Sequence, residues 1–95
     1  MSLSLVVLIE VQPGKADQQL EAFQSIAPLV RAEAGCIEYQ LHRVDGNENQ
    51  FVLTEQWESE AALAAHDVAP HMIEASGKNK SFRAGPAKVL KLVAI

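Results

Sequence analysis

Apolar spacing along the 95 residues switches between a period of two and a period of 3.6, and the order of those switches restricts the fold more than any single motif does. Leu5 to Val11 is rich in β-branched residues and closes at Pro13-Gly14, a strand followed by a turn. Its near-continuous apolarity predicts cover on both faces. From Lys15 to Ala34 the spacing is helical: Leu20, Phe23, Ala27, Val30 and Ala34 recur, Asp17 lies in the first turn, and Gly35 is placed as a stop. Pro28 removes a backbone donor there and predicts a kink near Gln24 to Ala27, or a break. Cys36 to Val44 alternates, with Ile37, Tyr39 and Leu41 on one face and Glu38, Gln40 and His42 on the other. DGNENQ, Asp45 to Gln50, is turn chemistry joining it to a third strand, Phe51 to Trp57, in an antiparallel hairpin. Ser59 caps a helix that reaches about Ala69, and Glu60 suits its first turn. Pro70 opens a short helix, His71 to Ser76, which Gly77 ends. A polar loop to Pro86 precedes a last strand, Ala87 to Ile95.

The order β-α-β-β-α-β is the split βαβ arrangement of an α+β domain, an antiparallel four-stranded sheet with helices on one face. One domain, residues 1–95, is expected. A domain this small buries a modest share of its surface, and the uncovered sheet face would be covered most economically by a second copy, so a homodimer is expected. The net charge of −4 removes the electrostatic basis for nucleic-acid binding. The loose basic cluster Lys78, Lys80, Arg83, Lys88 and Lys91 is the one local excess. Cys36 is the lone cysteine, which excludes an intrachain disulfide and any multi-thiolate metal site. The apolar run Leu5 to Ile9 lacks a basic flank and is far too short to span a bilayer, so no membrane role and a cytoplasmic location are expected.

Chemistry concentrates in FVLTEQWESEAALAAH, Phe51 to His66. Phe51, Leu53, Glu55 and Trp57 share a strand face, which sets a carboxylate between a leucine and a tryptophan. Burying that carboxylate costs several kcal/mol unless it finds a partner or takes up a proton; a structural ion pair and a functional acid both satisfy the pattern. Trp57 alone reads as core, and beside Glu55 as a wall for a flat aromatic molecule. His66 and His71 would stand about 140° apart on one uninterrupted helix, but a turn at Pro70 could bring both to the end of the third strand. Either histidine singly is accounted for by a helix-end carbonyl; the pair is suited to proton transfer near neutrality. H-x4-H lacks the spacing of a helical zinc pair, so no metal is expected. His42 reads as solvated surface, Cys36 as a small buried hydrophobe, and Met72 and Phe82 as pocket lining.

The segments E-A-G-C-I-E-Y (Glu33 to Tyr39), F-V-L-T-E-Q-W-E-S (Phe51 to Ser59), E-A-A-L-A-A-H (Glu60 to His66) and P-H (Pro70, His71) resemble the antibiotic biosynthesis monooxygenase domain family, and in particular its small bacterial quinol monooxygenase-like members. The resemblance implies a ferredoxin-like subunit that pairs through its sheets into a dimeric α+β barrel, with one pocket per subunit. It implies oxidation of quinols or related aromatics by dioxygen with no metal or organic cofactor, the substrate anion being the reductant. On that resemblance His66 is the general base, Glu55 orients it or stabilises its charge, and His71 is a second polar contact. Trp57, Tyr39, Phe51, Leu53 and Met72 form the walls. The haem-degrading branch uses an asparagine in the first strand, where this chain has Leu5, Val6, Val7 and Leu8. Two other readings stay open: an isomerase of a small phosphorylated metabolite, of the kind that processes a signalling sugar, with Lys78, Lys80 and Arg83 holding phosphate, and a non-catalytic small-molecule-binding dimer.

Overall fold

The structure is a computed structural model describing residues 2–95. Strand β1 (Leu3–Glu10) is followed by helix α1 (Ala16–Arg31), the hairpin β2 (Cys36–Val44) and β3 (Asn47–Trp57), helices α2 (Glu60–Asp67) and α3 (Pro70–Asn79), and strand β4 (Lys88–Leu92). The antiparallel sheet has the order β2-β3-β1-β4. The expected β-α-β-β-α-β order therefore holds, with its second helix divided in two at Val68 and Ala69. Leu5, Val7 and Ile9 of β1 and Phe51, Leu53 and Trp57 of β3 form the buried sheet face, and Ala27 and Val30 of α1 and Leu63 of α2 close over it. No helix among the described residues is long and apolar enough to cross a membrane.

Several boundaries differ from the sequence reading for identifiable reasons. Helix α1 is unbroken, and Pro28 lies inside its last turn. The proline costs a single backbone donor so near the end, while Ala27 and Val30 on either side are fully buried and hold the turn down. Strand β3 begins at Asn47 instead of Phe51, because Val44 pairs directly with Asn47 across the two-residue connection Asp45-Gly46. Gly46, at φ 83°, takes the left-handed position that this connection requires. A register shift between Cys36 and Glu38 turns Ile37 out to solvent, half exposed, while Cys36 and Tyr39 pack inward. Gly77 does not stop α3, which continues to Asn79.

The expected double cover of β1 is absent within one chain. Leu8 on its outer face is 40% exposed, and Leu90 and Leu92 of β4 are 38% and 46% exposed. Leu90 and Leu92 stand opposite Val6 and Ser4, so they share that outer face.

The turn from α1 into β2 positions the site. Gly35 has φ +83°, and a Cβ added there would stand 2.5 Å from the Cβ of Ala62. Only glycine lets this turn lie against α2. Its carbonyl accepts a hydrogen bond from the Glu58 N–H at 2.8 Å, and Ser59 Oγ caps α2 by accepting from the Ala62 N–H at 3.1 Å. Gly35→Ala should destabilise the fold by about 2–4 kcal/mol, from backbone strain plus overpacking. Urea denaturation would measure this. A double variant with Ala62→Gly should recover the overpacking part only; a neutral Gly35→Ala would contradict the close approach.

Candidate active site

Glu33 lies in the α1–β2 turn, two residues before Gly35, and its carboxylate collects two imidazoles. His66, in the last turn of α2, places Nδ1 at 3.0 Å from Glu33 Oε2 and 3.2 Å from Oε1. His71, in the first turn of α3, places Nε2 at 2.7 Å from the same Oε2. The interruption between the helices makes this possible. Ala69 is extended, Pro70 restarts the chain as a helix, and the Ala69 N–H closes the previous turn on the His66 carbonyl at 3.1 Å. Two side chains that one helix would have aimed apart therefore meet on a single oxygen.

A carboxylate accepts hydrogen bonds and does not donate them, so the Glu33 contact puts the His66 proton on Nδ1 and leaves Nε2 as the free face of the ring. That Nε2 points to Glu55 Oε1 at 3.9 Å, too far for a direct hydrogen bond and suited to a small group held between them. Glu55 is otherwise engaged by Trp57, whose Nε1–H donates to Oε1 at 3.0 Å. The Trp57 and His66 rings lie 4.5 Å apart, and Tyr39 meets His66 edge-on at 5.9 Å. Glu55 and His66 are both buried, at 8% and 3% exposure.

Glu55 and His66 open onto a cavity of about 160 Å³ whose apolar lining includes Phe23, Tyr39, Leu53 and Met72. Of the expected walls, Tyr39, Leu53 and Met72 line it. Trp57 and Phe51 do not: they are 0% and 1% exposed and lie in the core on either side. Strand alternation puts all four β3 side chains on one face, but the cavity opens only over the middle of that face, and His66 covers Trp57. His71 also stands off the cavity and reaches the constellation through Glu33 rather than through Glu55. His42 is exposed, its Nε2 3.0 Å from Thr54 Oγ1, and Phe82 belongs to the core.

Sequence reasoning missed Glu33, which entered only as the first letter of a motif, and also Gln19, which lines the cavity beside Arg83; Arg83 itself entered only as a candidate phosphate holder in the basic cluster. The available signal was a glutamate two residues before a glycine stop, on a turn obliged to face the helix carrying His66. The basic cluster does not converge as a whole. Lys78 pairs with Glu74 at 2.9 Å and Lys91 with Glu60 at 2.7 Å, while Lys80 and Arg83 line one outer groove and Arg83 alone of them also lines the cavity. Among the described residues, no group of three or more His, Cys, Asp and Glu is arranged to hold a metal ion.

A sequence model of the family described as antibiotic biosynthesis monooxygenase matches residues 2–78. The Bacillus subtilis protein named "Putative monooxygenase YcnE" is 34% identical, over 92% of this chain and 92% of its own length. The Escherichia coli K12 protein named "Probable quinol monooxygenase YgiN" is 33% identical, over 74% of this chain and 77% of its own. The crystal structure of PA3566 from Pseudomonas aeruginosa superposes with a TM-score of 0.90 at 30% identity, covering 99% of this chain and 94% of that one.

Electrostatics distinguish the two cavity groups. Burial pushes the Glu55 carboxyl above its ordinary value of 4.5; the Trp57 hydrogen bond and His66 pull it back, and Asp67 and Glu33 add to the rise. Burial, reinforced by Glu55, also pushes the Tyr39 phenol up, so Tyr39 keeps its proton at neutral pH. A carboxyl with a raised folded-state pKa favours folding most below its unfolded pKa and loses that advantage as pH rises through the folded value. The stability of the native protein relative to Glu55→Gln should accordingly fall as pH increases from 4.5 toward neutrality. Melting temperatures of both proteins across that range measure it, and a difference that is flat or grows with pH would contradict the burial argument.

Proposed function

The chain belongs to the antibiotic biosynthesis monooxygenase family, and from that premise we propose that it is a cofactor-independent monooxygenase acting on a quinol or similar aromatic with dioxygen. The observation that carries this reading is the buried His66, fixed through Nδ1 on Glu33 with its Nε2 facing Glu55 across 3.9 Å of cavity wall. The quinol is suggested by the name of the YgiN relative and by a cavity lined with Phe23 and Tyr39. A substrate hydroxyl between His66 Nε2 and Glu55 would lose its proton to His66, and the imidazolium formed would be stabilised by Glu33 on one side and Glu55 on the other. Deprotonation makes the ring electron-rich enough to reduce dioxygen. In the balanced reaction a quinol and O2 give a hydroxyquinone and water: one oxygen atom replaces hydrogen on a ring carbon, the O–O bond breaks, and the other atom leaves as water with the two hydrogens lost by the quinol, which supplies all four electrons.

The roles follow from position. His66 is the base, and Glu55 orients the hydroxyl and offsets developing charge. Glu33 is a positioning residue that fixes the His66 tautomer, and His71 supports it by filling the same carboxylate oxygen. Tyr39, Leu53 and Met72 exclude water, and Trp57 holds Glu55 from below. Oxygen uptake with reduced naphthoquinones, under conditions that correct for autoxidation, tests the proposal. His66→Ala should lower kcat by about 100-fold to 10,000-fold. No enzyme-dependent uptake with any quinol, or uptake unchanged in His66→Ala, would overturn it.

We further propose that the subunit pairs through the outer face of its sheet. The support is the exposed row Leu8, Leu90 and Leu92, flanked by Val6, on a chain whose one core lies on the other face. A stable interface needs about 800 Å² per partner, which a four-stranded face can provide. Sedimentation at micromolar concentration should give twice the chain mass, and Leu8→Glu combined with Leu90→Glu should give a monomer. A monomeric native protein would remove this assembly.

A further inference from the structure

Arg83 is the one cationic side chain in the cavity wall, and its guanidinium pairs with no carboxylate among the described residues. Its one side-chain partner is Gln19, itself 3% exposed, whose Oε1 accepts from Arg83 Nε at 3.1 Å. The backbone beneath is fixed on three sides. Arg83 N–H donates to the Asn79 carbonyl at 3.0 Å, its carbonyl accepts from Gln12 Nε2 at 3.1 Å, and Arg83 bridges to Val11. In a chain of net charge −4, where Lys78 and Lys91 each find a surface carboxylate, a half-buried guanidinium aimed by a neutral amide is an unbalanced charge that an anion would compensate.

Its position shows how such an anion would be presented. The inner cavity of about 160 Å³ adjoins an outer groove of about 360 Å³, and the two share Ser76, Asn79 and Arg83 as a common wall. The inner cavity alone is below the roughly 300–1,000 Å³ usual for a drug-sized ligand, so a bicyclic substrate would extend to this shared wall. Glu55 and Asp67 line the inner cavity with His66 but not the groove and would repel an anion there, which sets the orientation: hydroxyl toward His66, acid toward Arg83. The planar guanidinium, with Nε occupied by Gln19, keeps its terminal nitrogens for the two oxygens of a carboxylate.

Resting on the aromatic-substrate reading above, we propose that Arg83, oriented by Gln19, is an anion-binding residue and that the substrate is an aromatic carboxylate whose acid group binds where the cavity meets the groove. This names the substrate class that the monooxygenase reading leaves open.

Calorimetric titration with 6-hydroxy-2-naphthoate and with 2-naphthol tests it, since neither probe is a quinol, the two differ only in the carboxylate, and the acid stands at the opposite end of the bicycle from the hydroxyl. The native protein should bind the naphthoate about tenfold or more tightly, the value of one charge-assisted hydrogen bond. Arg83→Gln should erase that preference while holding 2-naphthol affinity within about twofold. Equal affinities in the native protein, or a preference that survives Arg83→Gln, would overturn the proposal, and the native comparison decides even if the variant folds poorly. Inorganic phosphate alone should leave the melting temperature unchanged; protection equal to that given by the naphthoate would mean a site for free oxyanions and would also overturn it. Because binding is read without turnover, a naphthoate preference without quinol oxidation sinks the monooxygenase reading alone. Quinol oxidation without the preference sinks the Arg83 assignment alone.

Discussion

The Glu33 carboxylate is the contact on which the rest of the site depends. It joins three parts of the chain that share no strand pairing: the end of α1, the end of α2 and the start of α3. One oxygen receiving hydrogen bonds from His66 and His71, at 3.0 and 2.7 Å, ties the end of α2 to the start of α3. It also determines which nitrogen of His66 faces the cavity. An alanine at position 33 would leave both imidazoles without an acceptor in a part-buried setting, where unmet donors cost about 1–3 kcal/mol each. The tautomer that leaves Nε2 free on the cavity side would then lose its definition.

That contact is available because of a glycine, and the way it is available shows what was legible in the sequence. Periodicity and capping signals located all four strands and the three helices, since alternation, 3.6-residue spacing and caps are local properties of the chain. It could not locate the bulge at Ile37, because an extra residue leaves the apolar and polar letters unchanged while shifting their faces. The continuity of α1 through Pro28 was equally invisible; it depends on the burial of Ala27 and Val30 against a sheet formed by residues distant in sequence. Gly77 illustrates the same limit. Its role as a stop rested on intrinsic preference, and the helix extends past it to Asn79.

For the site, the sequence supplied the members on one strand and not those that arrive from elsewhere. Glu55 and Trp57 were legible as neighbours because two residues on a strand share a face. His66 and His71 were legible as a pair once Pro70 was read as a restart. Glu33 and Gln19 were not, and Arg83 was read only as part of a basic cluster, because their contacts are a matter of tertiary approach: Arg83 and Gln19 are 64 positions apart. The same distinction explains the misplaced walls. A shared face does not make a shared cavity, and Trp57 and Phe51 serve the core while Leu53 and Glu55 between them face the opening.

The electrostatic arrangement has a direction that follows from these placements. Acidic groups, Glu33, Glu55 and Asp67, surround His66 at one end, so a proton accepted there is held by nearby negative charge without a compensating cation close by. Arg83 stands at the other end of the same cavity. Burial pushes the Glu55 carboxyl above its ordinary range, and Glu55 and Asp67 when ionised disfavour an anion at that end. Any permanent negative charge on the ligand is excluded from that end and drawn to the guanidinium. Burial of Glu55 thus carries a cost that grows as pH rises, because the ionised carboxylate is held away from water with the Trp57 N–H donating to it.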